Sequence, residues 1–303
     1  MDNEFLFQDR IDKIRAINEQ YNLKENAYIS FSGGKDSTIL HYLIDLALPN
    51  NKIPRVFINT GIEYSNVVKF VKELASKDDR IVILNSGINI KQMLETYGYP
   101  FKSKEFSQVL NRFKRLGRTK SVNRFLSLDG MLACHKKLLY LFDNEQNINI
   151  SDECCNKLKK EPLEFYTKTY NKNIAIIGIT NDDKGRRNDF GNSGCIKNYK
   201  THINFYPLRV VTQEFENYFI KQYNIKLCDL YYPPYNFERT GCKGCPFDKN
   251  LQKDLKTLEK FFPNEYKQCE IIWKPVYDEY RRIGYRLKKQ EQTNIFDFIE
   301  EGE

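Results

Sequence analysis

Apolar positions along the chain follow two periods. Tyr28 to Phe31, Pro54 to Asn59, Arg80 to Leu84 and Asn173 to Ile179 are short, nearly unbroken runs of β-branched, aromatic and aliphatic residues, which read as buried strands. Between them the period lengthens: Ser37 to Leu48 sets Ile39, Leu40, Leu43, Ile44 and Ala47 at helical spacing, and Asn66 to Ser76 is a second amphipathic stretch with Ser65 as its expected N-cap. Strands alternating with helices predict an α/β fold with a doubly wound, mostly parallel sheet. Val211 to Ile225 and Leu251 to Phe262 again read as amphipathic helices. The expected organisation is an α/β domain over residues 1–210 and a small helical, cysteine-bearing subdomain over 211–303. No internal repeat or low-complexity linker is evident.

The first strand runs into YISFSGGKDSTIL, so Ser32, Gly33, Gly34, Lys35, Asp36 and Ser37 occupy a strand-to-helix turn. In an open α/β sheet such a turn lies where ligands bind, beyond the carboxyl ends of the strands. The unpaired N–H groups of a helix start and its positive dipole end form an anion site, glycines admit an oxygen close to the backbone, and Lys35 adds a point charge. The spacing is not that of a Walker A loop, because the paired glycines directly precede the lysine.

Composition narrows the setting. With 303 residues, 41% hydrophobic and 14% aromatic, the chain can bury a real core. No apolar run approaches the roughly eighteen residues of a membrane span, and the first ten residues carry three acids and no basic start, so a cytoplasmic protein without membrane contact is expected. Eight cysteines in that compartment suit metal or redox chemistry better than structural disulfides. His41, His135 and His202 lack acidic partners at metal spacing and read as structural residues.

SGGKDS, Ser32 to Ser37, resembles the PP-loop of the N-type ATP pyrophosphatase superfamily. Six further segments in the same order resemble phosphoadenosine phosphosulfate (PAPS) reductase-like proteins, including phage and mobile-element forms: NTGIEYSNVVKFV (Asn59 to Val71), GYPFKSKE (Gly98 to Glu105), DECCNKLKKEP (Asp152 to Pro162), GNSGC (Gly191 to Cys195), YPLRVVTQEFENYFIKQYNI (Tyr206 to Ile225) and RTGCKGCPF (Arg239 to Phe247). The resemblance implies an adenine nucleotide alpha hydrolase-like fold. It also implies an adenine nucleotide, ATP or adenylyl sulfate, contacted by the Ser32–Ser37 turn and by Thr60, Gly61, Glu63 and Lys104. Lys35, Asp36 and Arg187 are the implied catalytic residues, with Asp36 helping to hold Mg²⁺.

Cys154 and Cys155 followed by the CxxC of Cys242 and Cys245 resemble the set that holds a [4Fe–4S] cluster in adenylyl-sulfate reductases. Zn²⁺ in a structural Cys₄ knuckle is the alternative. Cys195 makes five candidates for four places, and because adjacent ligands are sterically awkward, Cys155, Cys195, Cys242 and Cys245 form a second possible set. Cys134, Cys228 and Cys269 read as small buried hydrophobes.

Two departures from the family shape the functional expectation. The residues after Cys269 include no cysteine, whereas sulfonucleotide reductases carry a catalytic one there, and ITNDDKGRRND alters the family's basic segment while keeping Arg187. ATP-dependent adenylation of a nucleic-acid or small-molecule acceptor, followed by sulfur transfer from a donor protein, is therefore the favoured expectation. Reduction of PAPS or adenylyl sulfate is the alternative, and a non-catalytic nucleic-acid-binding factor is a third class. The chain carries a net charge of +8, and Lys102 to Arg124 holds eight cations against Glu105 alone, a polyanion footprint that suits a nucleic-acid acceptor. Phe106 and Phe113 in that segment are spaced for core contact.

Overall fold

The computed structural model describes residues 2–127, 134–143, 148–180 and 194–289. Its packing forms two compact units, residues 1–89 with 157–242 and residues 90–156 with 243–303. The division is discontinuous and does not follow the expected linear boundary at 210. The helix Gln213–Gln222 buries Phe215 and Phe219 in the same core as the first strands, which ties residues 211–242 to the first unit.

The first unit is built on six strands: β1 (Ala27–Ser30), β2 (Arg55–Asn59), β3 (Ile81–Asn85), β4 (Ile174–Ile176), β5 (Ile196–Asn198) and β6 (Ile203–Phe205). Their order is β3-β2-β1-β4-β6-β5, all parallel except β5, which runs antiparallel to β6. The four strands expected from the apolar runs are β1 to β4: β1 and β3 keep the length of their runs with a shift of one residue, β2 is one residue shorter and β4 four residues shorter.

Period-two alternation sends Ala27, Ile29, Ile174 and Ile176 to one face. There they meet the helices Asn3–Tyr21, Lys35–Ala47 and Gln213–Gln222 through Ile14, Leu40, Ile44 and Phe219. Tyr28, Val56 and Ala175 face the other way, against Tyr166 and Leu163 of the helix Glu161–Thr169. Both faces are covered, so Ala27–Ile29 of β1 and all of β4 are apolar. The chain leaves β1 toward β2 on one side and reaches β4 on the other, so the carboxyl end of β1 is a topological switch point. Ser65 opens the helix Ser65–Ala75 as its first residue, with Tyr64 in the cap position, one place earlier than the expected N-cap.

The second unit is helical. An aromatic core joins the helix Lys104–Leu116 to the 3₁₀ segment Lys136–Phe142, with Phe106 and Phe142 rings 5.7 Å apart, and Tyr280 of the helix Lys274–Ile283 stands edge-on to Phe101 at 4.7 Å. Phe106 is fully buried and Phe113 packs on Phe142 at 5.5 Å, the core contacts their spacing predicts.

Candidate functional site

The turn after β1 owes its shape to two glycines with different tasks. Gly33 has φ +69°, and a Cβ there would stand 2.8 Å from Val71 Cγ2 and 3.0 Å from Val67 Cγ1. Only glycine permits both the left-handed backbone and the close approach of the helix Ser65–Ala75. Gly34 is extended (φ −82°, ψ 168°) and caps the helix Lys35–Ala47 without a side chain. Instead of facing empty space, its Cα faces three hydroxyls, Ser32 Oγ, Tyr231 OH and Thr240 Oγ1, all 3.2–3.3 Å from where a Cβ would be.

These hydroxyls fix the turn. Gly34 N–H donates to Ser32 Oγ (3.3 Å), the Ser32 and Ser37 hydroxyls lie 3.0 Å apart, and Ser37 and Thr38 both donate to Gly34 C=O at 2.9 Å. Lys35 N–H donates to the Tyr231 hydroxyl (3.0 Å), itself 2.8 Å from Thr240 Oγ1. Gly178, beyond β4, closes the other side: a Cβ there would lie 3.1 Å from Asp36 C=O.

The Lys35 ammonium is held by Gln213 Oε1 at 2.7 Å and Glu216 Oε2 at 2.6 Å. Glu216 is almost wholly buried, and no donor among the described residues reaches its Oε1. Burial, reinforced by the Asp36 carboxylate, pushes its pKa up to about 7 in spite of Lys35. The turn thus carries a cation held by a carboxylate whose charge is costly to keep. Sequence reasoning missed Gln213, Glu216, Tyr231 and Thr240. A usable signal exists for Glu216, which shares the buried stripe of its helix with Phe215 and Phe219.

The other expected nucleotide residues divide. Thr60 and Glu63 form a closed loop after β2, in which Glu63 accepts from Thr60 N–H (2.8 Å) and from the Thr60 hydroxyl, and pairs with Lys159 at 3.5 Å. Gly61 has φ +82° with open space around its Cα. Lys104 belongs to the second unit, as the first residue of the helix Lys104–Leu116. Arg187 and its neighbours Asp182, Asp183, Lys184 and Arg186 lie outside the described residues.

None of the eight cysteines is in a disulfide. Cys154 and Cys155 open a helical run whose next turn, Asn156–Lys160, is a π-helix, and their sulfurs are 4.0 Å apart. Cys242 forms an isolated bridge with Glu63. In the second unit the rest of the CxxC segment is clamped by aromatic donors: Trp273 Nε1 to Lys243 C=O (3.0 Å), Tyr277 OH to Gly244 C=O, and Tyr280 OH to Pro246 C=O (2.9 Å). Gly244 is left-handed (φ +61°), and a Cβ there would run into Cys269 and Tyr277. Cys195 has a different setting, accepting from Arg10 Nη1 at 3.5 Å beside the first unit's core. Cys134, Cys228 and Cys269 are buried, and burial raises all three thiols, Cys228 to about 11 and Cys269 to about 12, as fits inert core residues. The donor chemistry suits a thiolate-bound group: a vicinal thiol pair and a CxxC pair, each on ordered backbone with no disulfide.

Among the described residues, the side chains gathered closely enough to share a single ion are His41, Asp45 and Asp78. One acidic partner of His41, Asp45, stands one helical turn on in the same helix and corrects the expectation that the histidine lacks one; the fold adds Asp78 and two guanidinium groups. Arg55 meets Asp45 at 2.6 Å, and Arg80 meets Asp45 and Asp78 at 2.7 Å each. Arg55 Nε donates to His41 Nδ1 at 3.1 Å, so the imidazole is neutral, and burial with Arg55 lowers its pKa to about 4. The cluster is a buried ion-pair network with its carboxylates already occupied.

The family model for the phosphoadenosine phosphosulfate reductase domain matches residues 26–134 and 131–248. An uncharacterized protein of Methanocaldococcus jannaschii, MJ0973, is 24% identical over 285 residues, 90% of this chain, which spans 56% of that relative. Among solved structures, the phosphate complex of PAPS reductase from Candida auris aligns with TM-score 0.42 and 14% identity, covering 76% of this chain and 91% of that one. NH₃-dependent NAD synthetase from Campylobacter jejuni aligns with TM-score 0.41 and 13% identity over 96% of this chain and the whole of that one. FMN adenylyltransferase from Candida glabrata in complex with ATP aligns with TM-score 0.42 and 15% identity, over 74% and 58%.

Proposed function

Because the chain belongs to the phosphoadenosine phosphosulfate reductase domain family, we propose that it binds ATP through the Ser32–Ser37 turn, adenylates an acceptor and completes a sulfur transfer. One observation carries the reading: the thirteen-residue helix Lys35–Ala47 begins at a glycine that offers no capping side chain, with the Lys35 ammonium beside it at the switch point of the sheet.

In this mechanism the turn takes the pyrophosphate end of ATP, and Lys35 exchanges Gln213 and Glu216 for phosphate oxygens. An acceptor oxygen attacks the α-phosphorus and pyrophosphate leaves. A sulfur nucleophile then displaces AMP from the activated acceptor, which forms the new bond to sulfur and restores the nucleotide's phosphate monoester. The protein contributes mainly positioning and charge stabilisation. Asp36 would hold a Mg²⁺ that offsets phosphate charge. Thr60, Gly61, Glu63, Lys104 and Arg187 are proposed as further nucleotide contacts. Cys154, Cys155, Cys242 and Cys245, with Cys195 as the fifth candidate, would hold a [4Fe–4S] cluster, which supplies a low-potential, sulfur-philic centre when bound.

The family's own description favours a second reading, reduction of PAPS or adenylyl sulfate. Anaerobically purified protein separates the two. Acceptor-dependent release of pyrophosphate and AMP from ATP supports sulfur transfer, whereas sulfite as the sole product from adenylyl sulfate overturns it in favour of the reductase. The same preparation should be brown and lose iron in Cys242→Ser and Cys245→Ser. Colourless protein with about one zinc per chain would replace the cluster by a structural knuckle.

A further inference from the structure

The second unit contains a cleft of about 1050 Å³ whose lining includes five cations, Lys137, Arg282, Arg286, Lys288 and Lys289, and, among the described residues, no carboxylate. They come from the 3₁₀ segment Lys136–Phe142 and from the chain at and beyond the end of the helix Lys274–Ile283. Sequence reading places the positive footprint on Lys102–Arg124; the fold makes a second one from residues nearly 150 positions apart.

The five are not equally committed. Arg282 is paired by Glu279 at 2.7 Å and lies 5.2 Å from the centre of the Tyr140 ring, and Arg286 donates to Pro246 C=O. The ammonium groups of Lys137, Lys288 and Lys289 make no ion pair or side-chain hydrogen bond among the described residues, and all three are exposed. Gln252 accepts from the Lys288 backbone N–H at 2.9 Å, fixing the segment that carries two of them. Like charges gathered on a fixed backbone repel one another, and an anion spanning several of them relieves that repulsion.

We propose that this cleft binds the phosphate backbone of a single-stranded nucleic acid, and so seats the acceptor of the reaction. A flexible single strand can fit its phosphates to cations scattered over an open surface, whereas a duplex is read by an element that protrudes into a groove. The proposal rests on the acceptor reading given above, but its test needs neither nucleotide turnover nor a bound cluster.

The test is fluorescence anisotropy of the full chain with a labelled single-stranded DNA of about 16 nucleotides, titrated over a salt series. Each phosphate contact contributes about 0.7 to the slope of log Kobs against log[salt]. Contacts from the three uncommitted lysines predict a slope of about −2, and Lys137→Glu/Lys288→Glu/Lys289→Glu should bring it close to zero and weaken binding more than tenfold. Lys13→Glu/Lys52→Glu/Lys77→Glu, an equal charge change at exposed positions of the first unit, should leave binding within about twofold. Equal loss in both triple variants would reduce the effect to net charge and overturn the site, as would no loss in either. Attachment to phosphatidylserine vesicles without oligonucleotide binding would also overturn it. Loss of ATP-dependent pyrophosphate release with oligonucleotide binding intact would refute the enzymatic reading alone.

Discussion

Replacing Gly34 with valine tests the nucleotide turn at the position where shape and chemistry meet. A Cβ alone would sit 3.2 Å from Ser32 Oγ and Tyr231 OH and 3.3 Å from Thr240 Oγ1, distances a shift of a few tenths of an ångström relieves. The γ-carbons of valine reach further and displace the Tyr231 hydroxyl, which accepts from Lys35 N–H and meets Thr240. At about 1 kcal/mol per hydrogen bond, the two losses cost about 2 kcal/mol, and overpacking raises the total to roughly 3–5 kcal/mol. No left-handed strain is added, because φ is −82°. The altered aim of the first helical N–H groups should weaken ATP about a hundredfold, or about 2.7 kcal/mol. Urea unfolding measures the first figure and calorimetric titration of ATP and adenylyl sulfate the second. Gly33→Ala should behave differently. Its left-handed φ adds about 1–2 kcal/mol to the clash with Val71, so its main effect is on stability. A folded Gly34→Val protein with unchanged affinity for both nucleotides would remove this turn from the nucleotide site.

Glu216→Gln should tighten ATP about fivefold at pH 8, because Lys35 is then free of a buried carboxylate that also repels the incoming phosphates; titration calorimetry reads this, and a tenfold loss would mean that Glu216 serves the ligand directly. Stability should fall between pH 6.5 and pH 4 through His41. The unfolded imidazole takes up its proton near 6.5 and the folded one only near 4, so the contribution is present above 6.5 and about 3 kcal/mol is lost across that window. Glu216 has the opposite slope, since its folded pKa is raised and its contribution falls as pH rises from about 4.5 to 7. Urea curves of His41→Gln isolate the histidine, and an unchanged pH slope in that variant would contradict the assignment.

Much of the fold and part of the site can be read from local order. Apolar runs at Tyr28–Phe31, Pro54–Asn59, Arg80–Leu84 and Asn173–Ile179 mark β1 to β4, because side-chain alternation and burial are properties of neighbouring residues. The edge pair β5 and β6 is three residues long in each strand, too short for a period to register. SGGKDS likewise announces an anion-binding turn by itself, since a helix start needs only its own backbone to expose N–H groups. What surrounds that turn is another matter. Lys35 meets Gln213, Glu216 and Tyr231 across 178 to 196 residues, and no periodicity encodes a partner at that distance. A glutamate beside two phenylalanines looks like the polar rim of an amphipathic helix until the lysine that justifies its burial is placed against it. His41 shows the same limit. Asp45 is one turn away on its own helix, but Asp78, Arg55 and Arg80 come from β2 and the loop before β3, and only the folded sheet adds them to the network. Sequence determines what each segment tends to be, because that is settled over a few residues. Which charges share one desolvated space is settled by the tertiary structure, because burial is a property of the whole packing.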